Sequence, residues 1–154
     1  FSPDSEASKL ALSMVSEDTT DVDALKQIYN YVVNNLTYDY DKAETVETGY
    51  LPDVDETLST KTGICFDYAA LTTAMLRSCD IPCKLQIGYT GDIKHAWIDV
   101  YIRSKGWVTG AVSFNGDSWS LMDPTFDSSA DSDDTEAIQD YIGNADNYTV
   151  QFTR

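Results

Sequence analysis

Cysteine and histidine together can carry nucleophilic chemistry, and this chain holds three cysteines, Cys65, Cys79 and Cys83, and a single histidine, His95. A thiol attacks as its thiolate, and an ordinary cysteine is mostly protonated at neutral pH. Cys65 sits where that difficulty is eased. It follows Gly63-Ile64 and opens an apolar run through Arg77 that reads as a helix. The unpaired N–H groups and dipole of a helix N-terminus favour an anion there. A glycine two residues earlier permits a tight turn and close approach of a substrate, and the Cys65 N–H is placed to donate to a developing oxyanion. His95 is then the base that takes the thiol proton and returns it to a leaving amine. A third group usually fixes the imidazole's orientation, and Asp123, held before Pro124, is the best candidate. The plainer alternatives are a small buried thiol, a hydrogen-bonded strand histidine and a turn aspartate.

The elements around these residues are readable from periodicity. Residues 5–17 form a partial helical pattern with Ser5 as cap. Residues 21–36 form a stronger one, with Asp21 as N-cap and Leu25, Ile28, Tyr29, Val32, Val33 and Leu36 recurring at helical spacing. A polar stretch from Thr37 to about residue 62 reads as an irregular loop, with a short helix near Val54 to Leu58. The run from Cys65 to Arg77 is apolar nearly all round, which places it in the centre of the fold. Strands are expected at Lys84 to Tyr89, His95 to Ile102, Trp107 to Val112 and Ser118 to Met122, with Asn115-Gly116-Asp117 as a hairpin turn. The acidic run 127–134 reads as a solvated loop, 135–142 as a short helix and Tyr148 to Phe152 as a last strand. Helices first and an antiparallel sheet after them is an α+β pattern. With no repeat and no linker, the 154 residues are expected to form one domain.

Composition narrows the partners. Twenty-six acidic residues against ten basic ones give a formal net charge of -16, which repels phosphate backbones and anionic membranes. Nucleic acid and direct membrane insertion are therefore not expected. The acidity suits an extracellular or cell-surface setting, which is the expectation; the chain begins at Phe1 rather than methionine, so a longer parent carrying a signal or anchor is expected.

Other residues carry secondary readings. Cys79 and Cys83 could pair with each other in an oxidising compartment, pack as thiols, or join Cys65 and His95 as a Cys3His metal set. The run 127–134 lacks the glycine and terminal glutamate of a calcium loop, and no metal or cofactor is expected. Trp97, Trp107 and Trp119 read as core or sheet-face residues, one of which could line a groove. Tyr38, Tyr40 and Tyr50 are candidates for a second oxyanion donor.

Four local sequences occur in an informative order. Gly63-Ile64-Cys65-Phe66-Asp67-Tyr68-Ala69 resembles the G-x-C-x-x-[FY]-A pattern of transglutaminase-like domains. Ile81-Pro82 with Gly88-Tyr89 resembles their helix-to-strand passage, His95-Ala96-Trp97 their H-A-W, and Asp123-Pro124-Thr125 their D-P-T. Tyr38-Asp39 also resembles a Y-D that follows the second helix. The resemblance covers roughly residues 22–127. It implies a papain-like, transglutaminase-like α+β fold, with Cys65 as nucleophile, His95 as base and Asp123 as orienter. It also implies acyl transfer from an amide in a peptide or protein substrate. Peptidase or amidase-type hydrolysis is the leading expectation; protein crosslinking and a silent module binding peptide or cell-wall ligands are the alternatives. Two departures stand out. Asp80 replaces the usual glycine before Ile-Pro, and the Gly110 to Ser118 segment lengthens the hairpin before Asp123.

Overall fold

Local capping starts each helix. In the computed structural model, which describes residues 2–90, 93–115, 118–121 and 149–153, α1 (Glu6–Met14) begins where the Ser5 hydroxyl accepts the Ser8 N–H at 3.2 Å. It ends three residues before the expected limit, as Val15 turns extended. Helix α2 (Asp21–Asn35) is capped by Thr20 rather than Asp21: Thr20 Oγ1 accepts the Asp23 N–H at 3.1 Å. Asp21 thus stands in the first helical turn, where its charge complements the helix dipole. The apolar stripe of α2 buries Ala24, Leu25, Ile28 and Val32.

The stretch from Thr37 to residue 62 holds more order than its polar sequence suggests. It contains β1 (Thr37–Tyr38), α3 (Tyr40–Thr45), α4 (Val54–Thr60) and the start of β2 (Thr62–Gly63). Strands β1 and β2 pair in parallel, with Tyr38 opposite Gly63. The Asp39 N–H donates to the Gly63 carbonyl at 2.9 Å. This two-residue ladder ties the exit of α2 to the entry of the next helix.

That helix, α5 (Cys65–Ser78), is buried along its length except at Ala70, Arg77 and Ser78. It packs against α1, α2 and α4 on one side and against the sheet on the other. Its end is a Schellman closure: Ile81 N–H reaches Leu76 O at 3.1 Å and Asp80 N–H reaches Arg77 O at 3.2 Å. Asp80 takes the left-handed position with φ 57°, so aspartate serves there in place of glycine.

The sheet is antiparallel, formed by β3 (Cys83–Thr90), β4 (Ile93–Ile102), β5 (Gly106–Asn115), β6 (Ser118–Leu121) and β7 (Thr149–Thr153), in the order β6-β5-β4-β3-β7. Strand β5 runs beyond both ends of the expected Trp107 to Val112, and a bulge interrupts it at Gly110. The register jumps from Ile98↔Val112 to Val100↔Val108. Gly110 adopts φ 61°, and its N–H is held by Asp99 Oδ1 at 2.8 Å. The architecture is α+β, as the order of elements predicts. The expected loop at 127–134 and helix at 135–142 lie outside the described residues.

Candidate active site

Cys65 is the first residue of α5 and is 4% exposed. The turn in front of it is held by a side chain two positions after it. Asp67 Oδ2 accepts the Ile64 N–H at 2.8 Å, closing the helix entry from inside, because Ile64 has no polar side chain to cap with. Asp67 is completely buried, and a buried carboxylate needs partners. It has two more: the Tyr50 hydroxyl donates to Oδ1 at 2.6 Å, and Lys42 Nζ lies 3.0 Å from Oδ2. Lys42 also donates to the Tyr50 hydroxyl and stands 4.4 Å above its ring. Lys42 comes from α3 and Tyr50 from the segment before α4, so three separate stretches converge behind the Cys65 turn. The ammonium pKa is raised: burial acts against this, and the bonds to Tyr50 and Asp67 outweigh it. The Tyr50 phenol is pushed up by burial and then by Asp67.

Sequence reasoning missed this trio. The available signal was Asp67 at the third helical position, where an acidic side chain can reach back to the cap. Lys42 and Tyr50 carried no signal in an aperiodic polar stretch. The geometry also narrows the three candidate tyrosines. Tyr50 is committed to Asp67, which removes it as a second oxyanion donor. Tyr40 is 61% exposed and stands edge-on to Tyr38 at 5.1 Å. Tyr38 in turn meets Tyr68 at 6.5 Å, and Tyr68 meets Phe114 at 5.5 Å. Burial, then Tyr38 and Tyr40, push the Tyr68 phenol up to about 12.

His95 lies near the start of β4 and is 3% exposed. The packing of α5 fixes which end of the sheet Cys65 overlies. Late in the helix, Thr73 O accepts from Cys83 Sγ at 3.7 Å and Arg77 Nη2 donates to Cys83 O at 3.0 Å. Cys83 pairs with Val100, in the second half of β4. Early in the helix, Tyr68 meets Phe114, which pairs with Ala96 beside His95. The Cys65 end of α5 therefore overlies the His95 end of β4. Ala96, Ile98 and Val100 belong to the pleat that α5 covers, and Ala96 leaves the helix entry room. His95 shares the alternate pleat with Trp97 and Asp99, so the packing fixes the coincidence of the two element ends and not a contact between Cys65 and His95. Burial lowers the His95 pKa from its usual 6.5, which favours the neutral imidazole.

Asp123 lies outside the described residues. Strand β6, which leads towards it, ends at Leu121 in register with Val112.

The three cysteines are unbridged in this structure. Cys79 caps the far end of α5, and burial raises its thiol pKa. Cys83 opens β3, where burial pushes its thiol up to about 11. A Cys3His metal set is ruled out by helix length: fourteen residues at about 1.5 Å each separate Cys65 from Cys79 by about 20 Å. Among the described residues no three metal-ligating side chains cluster. Trp97 is buried, whereas Trp107 is 48% exposed, edge-on to Tyr101 at 5.6 Å and covered by Lys84 Nζ at 4.2 Å. The Trp119 side chain lies outside the described set.

Known proteins share this fold. In solved structures, the chain superposes on a candidate cysteine protease from Cytophaga hutchinsonii with a TM-score of 0.57 and 17% identity, covering 97% of this chain and 42% of that one. A candidate protease from Parabacteroides distasonis gives a TM-score of 0.53 and 19% identity over 66% of this chain and 23% of that one. At these identities the likeness is one of fold. In sequence, a UPF0252 protein of Methanocaldococcus jannaschii is 40% identical over 62 residues, 37% of this chain. YebA of Bacillus subtilis is 28% identical over 120 residues, 65% of this chain. The chain spans only 18% and 16% of the lengths of these two relatives. The family profile that matches is that of the transglutaminase-like superfamily, over residues 8–124, and the chain belongs to that superfamily.

Proposed function

We propose that the protein transfers acyl groups from amide bonds through a Cys65 thioester, with water as the acceptor, on peptide or protein substrates. The observation that carries this reading is the position of Cys65 as the first residue of the buried helix α5, over the end of β4 that holds His95. His95 takes the thiol proton, and the thiolate attacks the amide carbonyl. The oxyanion forms at the helix entry, where the Cys65 N–H can donate to it. Collapse breaks the C–N bond, and the imidazolium gives its proton to the departing amine. Water activated by the same imidazole then cleaves the thioester and restores the thiol. Asp123 has the role of orienting the imidazole. The descriptions of the two solved neighbours as candidate proteases favour hydrolysis over crosslinking.

One observation favours a second reading, a module that binds without turnover. Cys65 and His95 are 4% and 3% exposed, and a substrate carbonyl must reach the sulfur. Incubation with a broad peptide and glutamine-donor panel separates the two. Hydrolysis lost in Cys65→Ala supports the enzyme. Retained binding without turnover in the unaltered protein supports the module.

A further inference from the structure

The carboxylate of Asp67 poses an electrostatic problem for a reactive Cys65. It lies two residues after the thiol in the same helical turn and has no exposed surface. An uncompensated negative charge there disfavours a thiolate. Yet the same carboxylate is required to hold Ile64 N–H, and hence the turn that presents Cys65. Both demands are met only if a cation and a hydrogen-bond donor sit on the carboxylate's other positions. Lys42 and Tyr50 occupy them, at 3.0 and 2.6 Å.

We propose that Lys42 and Tyr50 are positioning residues for the Cys65 thiolate: they cancel the charge of Asp67 and lock it as the cap of the Gly63-Ile64-Cys65 turn. This rests on the nucleophile reading above. Neither residue touches substrate; each acts through Asp67. Lys42 supplies the charge and Tyr50 the direction. Gly63 completes the device, because a Cβ there would stand 2.5 Å from Asp67 Cβ and 2.9 Å from Oδ2. Only a glycine lets the carboxylate pass close under the turn.

Among the described residues, other titratable groups at this end include His95 on β4, Tyr68 on α5, Tyr38 on β1, Tyr40 opening α3, and Asp39. Asp39 accepts the Lys42 N–H at 2.9 Å and so stands at the start of α3. None of these changes in the variants below, so a shift in the thiol's titration reports the Asp67 trio.

The test is the pH dependence of Cys65 alkylation by iodoacetamide, read peptide by peptide by mass spectrometry so that Cys79 and Cys83 are separated. Lys42→Met leaves the buried carboxylate uncompensated. Its Cys65 profile is expected to move to higher pH, with alkylation at neutral pH slowed about tenfold. Lys42→Arg keeps the cation and restores the unaltered profile. Asp67→Asn removes the negative charge and leaves the cation, so its profile moves the opposite way, to lower pH. Tyr50→Phe removes one hydrogen bond without changing charge and gives a smaller upward shift. Circular dichroism confirms that each variant is folded, and the Arg and Phe variants keep the question open to test if Lys42→Met does not fold. Unchanged profiles in Lys42→Met and Tyr50→Phe overturn the inference, as do shifts of the same sign in Lys42→Met and Asp67→Asn. Failure of the underlying reading looks different: Cys65 in the unaltered protein would alkylate no faster than Cys79 at any pH.

Discussion

Gly63 and Asp67 are packed so closely that no side chain fits at position 63: its Cβ would lie 2.5 Å from the Cβ of Asp67. The constraint is steric, because the obstacle is the stem of a buried residue and not a flexible tip. Gly63→Ala is therefore expected to destabilise the fold by about 1–3 kcal/mol through overpacking. Urea denaturation measures it. A midpoint unchanged from the parent would show that the α5 entry can relax around an added methyl.

Asp99 holds the bulge of β5 in a similarly local way. Asp99 is 8% exposed, and its carboxylate receives the Gly110 N–H at 2.8 Å and is bonded by Gln86 Nε2. Asp99→Ala leaves the Gly110 N–H without its acceptor in a buried setting, at a cost of about 1–3 kcal/mol. Hydrogen exchange of the Gly110 amide should quicken with the same substitution. Unchanged protection at Gly110 would mean that another group holds the bulge.

The ion pair between Asp21 and Arg103 should matter less than its geometry suggests. Arg103 Nη2 lies 2.9 Å from Asp21 Oδ1, but its side chain is 72% exposed. Arg103→Ala is expected to cost less than about 1 kcal/mol. Asp21→Ala should cost more, since it also removes the acceptor of the Arg103 backbone N–H at 3.0 Å and an acid from the first turn of α2. Thermal melts of the two variants side by side test the order, and equal losses would contradict it.

Much of this fold is legible in the chain because the chemistry is periodic. A run from Phe66 to Leu76 that is apolar nearly all round announces a central helix, and the structure starts it at Cys65 as expected. Alternation through Trp97, Asp99 and Tyr101 announces β4. The missed elements are short and carry no period. Helix α3 buries no residue, and β1 and β2 have two residues each. Their order comes from Asp39 capping and from contact with the α5 entry. The Lys42–Tyr50–Asp67 trio was unreadable for the same reason, since its members are brought together only by the fold. Cys65 and His95 stand out in the sequence by residue type and context, and the helix packing brings their two elements to one end of the sheet.

Burial of His95 makes stability depend on pH. Its folded pKa lies below the usual 6.5, so between those two values the unfolded chain binds a proton that the native chain does not. The contribution is fully present above about 6.5 and is lost as the pH falls through the folded value. The melting temperature of the unaltered protein should therefore drop, relative to His95→Gln, between about pH 7 and about pH 5. A constant difference between the two across that range would show that His95 titrates normally.

The central claim is that Cys65 is a nucleophile served by His95, and covalent labelling tests it most directly. The protein is treated at mildly acidic pH with a peptide-based electrophile that mimics an acyl donor, and the adduct is located by mass spectrometry. The account predicts a single adduct on Cys65, absent in Cys65→Ala. In His95→Ala its formation should slow by on the order of 10²–10⁴-fold, the usual worth of a positioned acid–base. An adduct distributed over Cys79 and Cys83, or labelling of Cys65 at the same rate without His95, would contradict it.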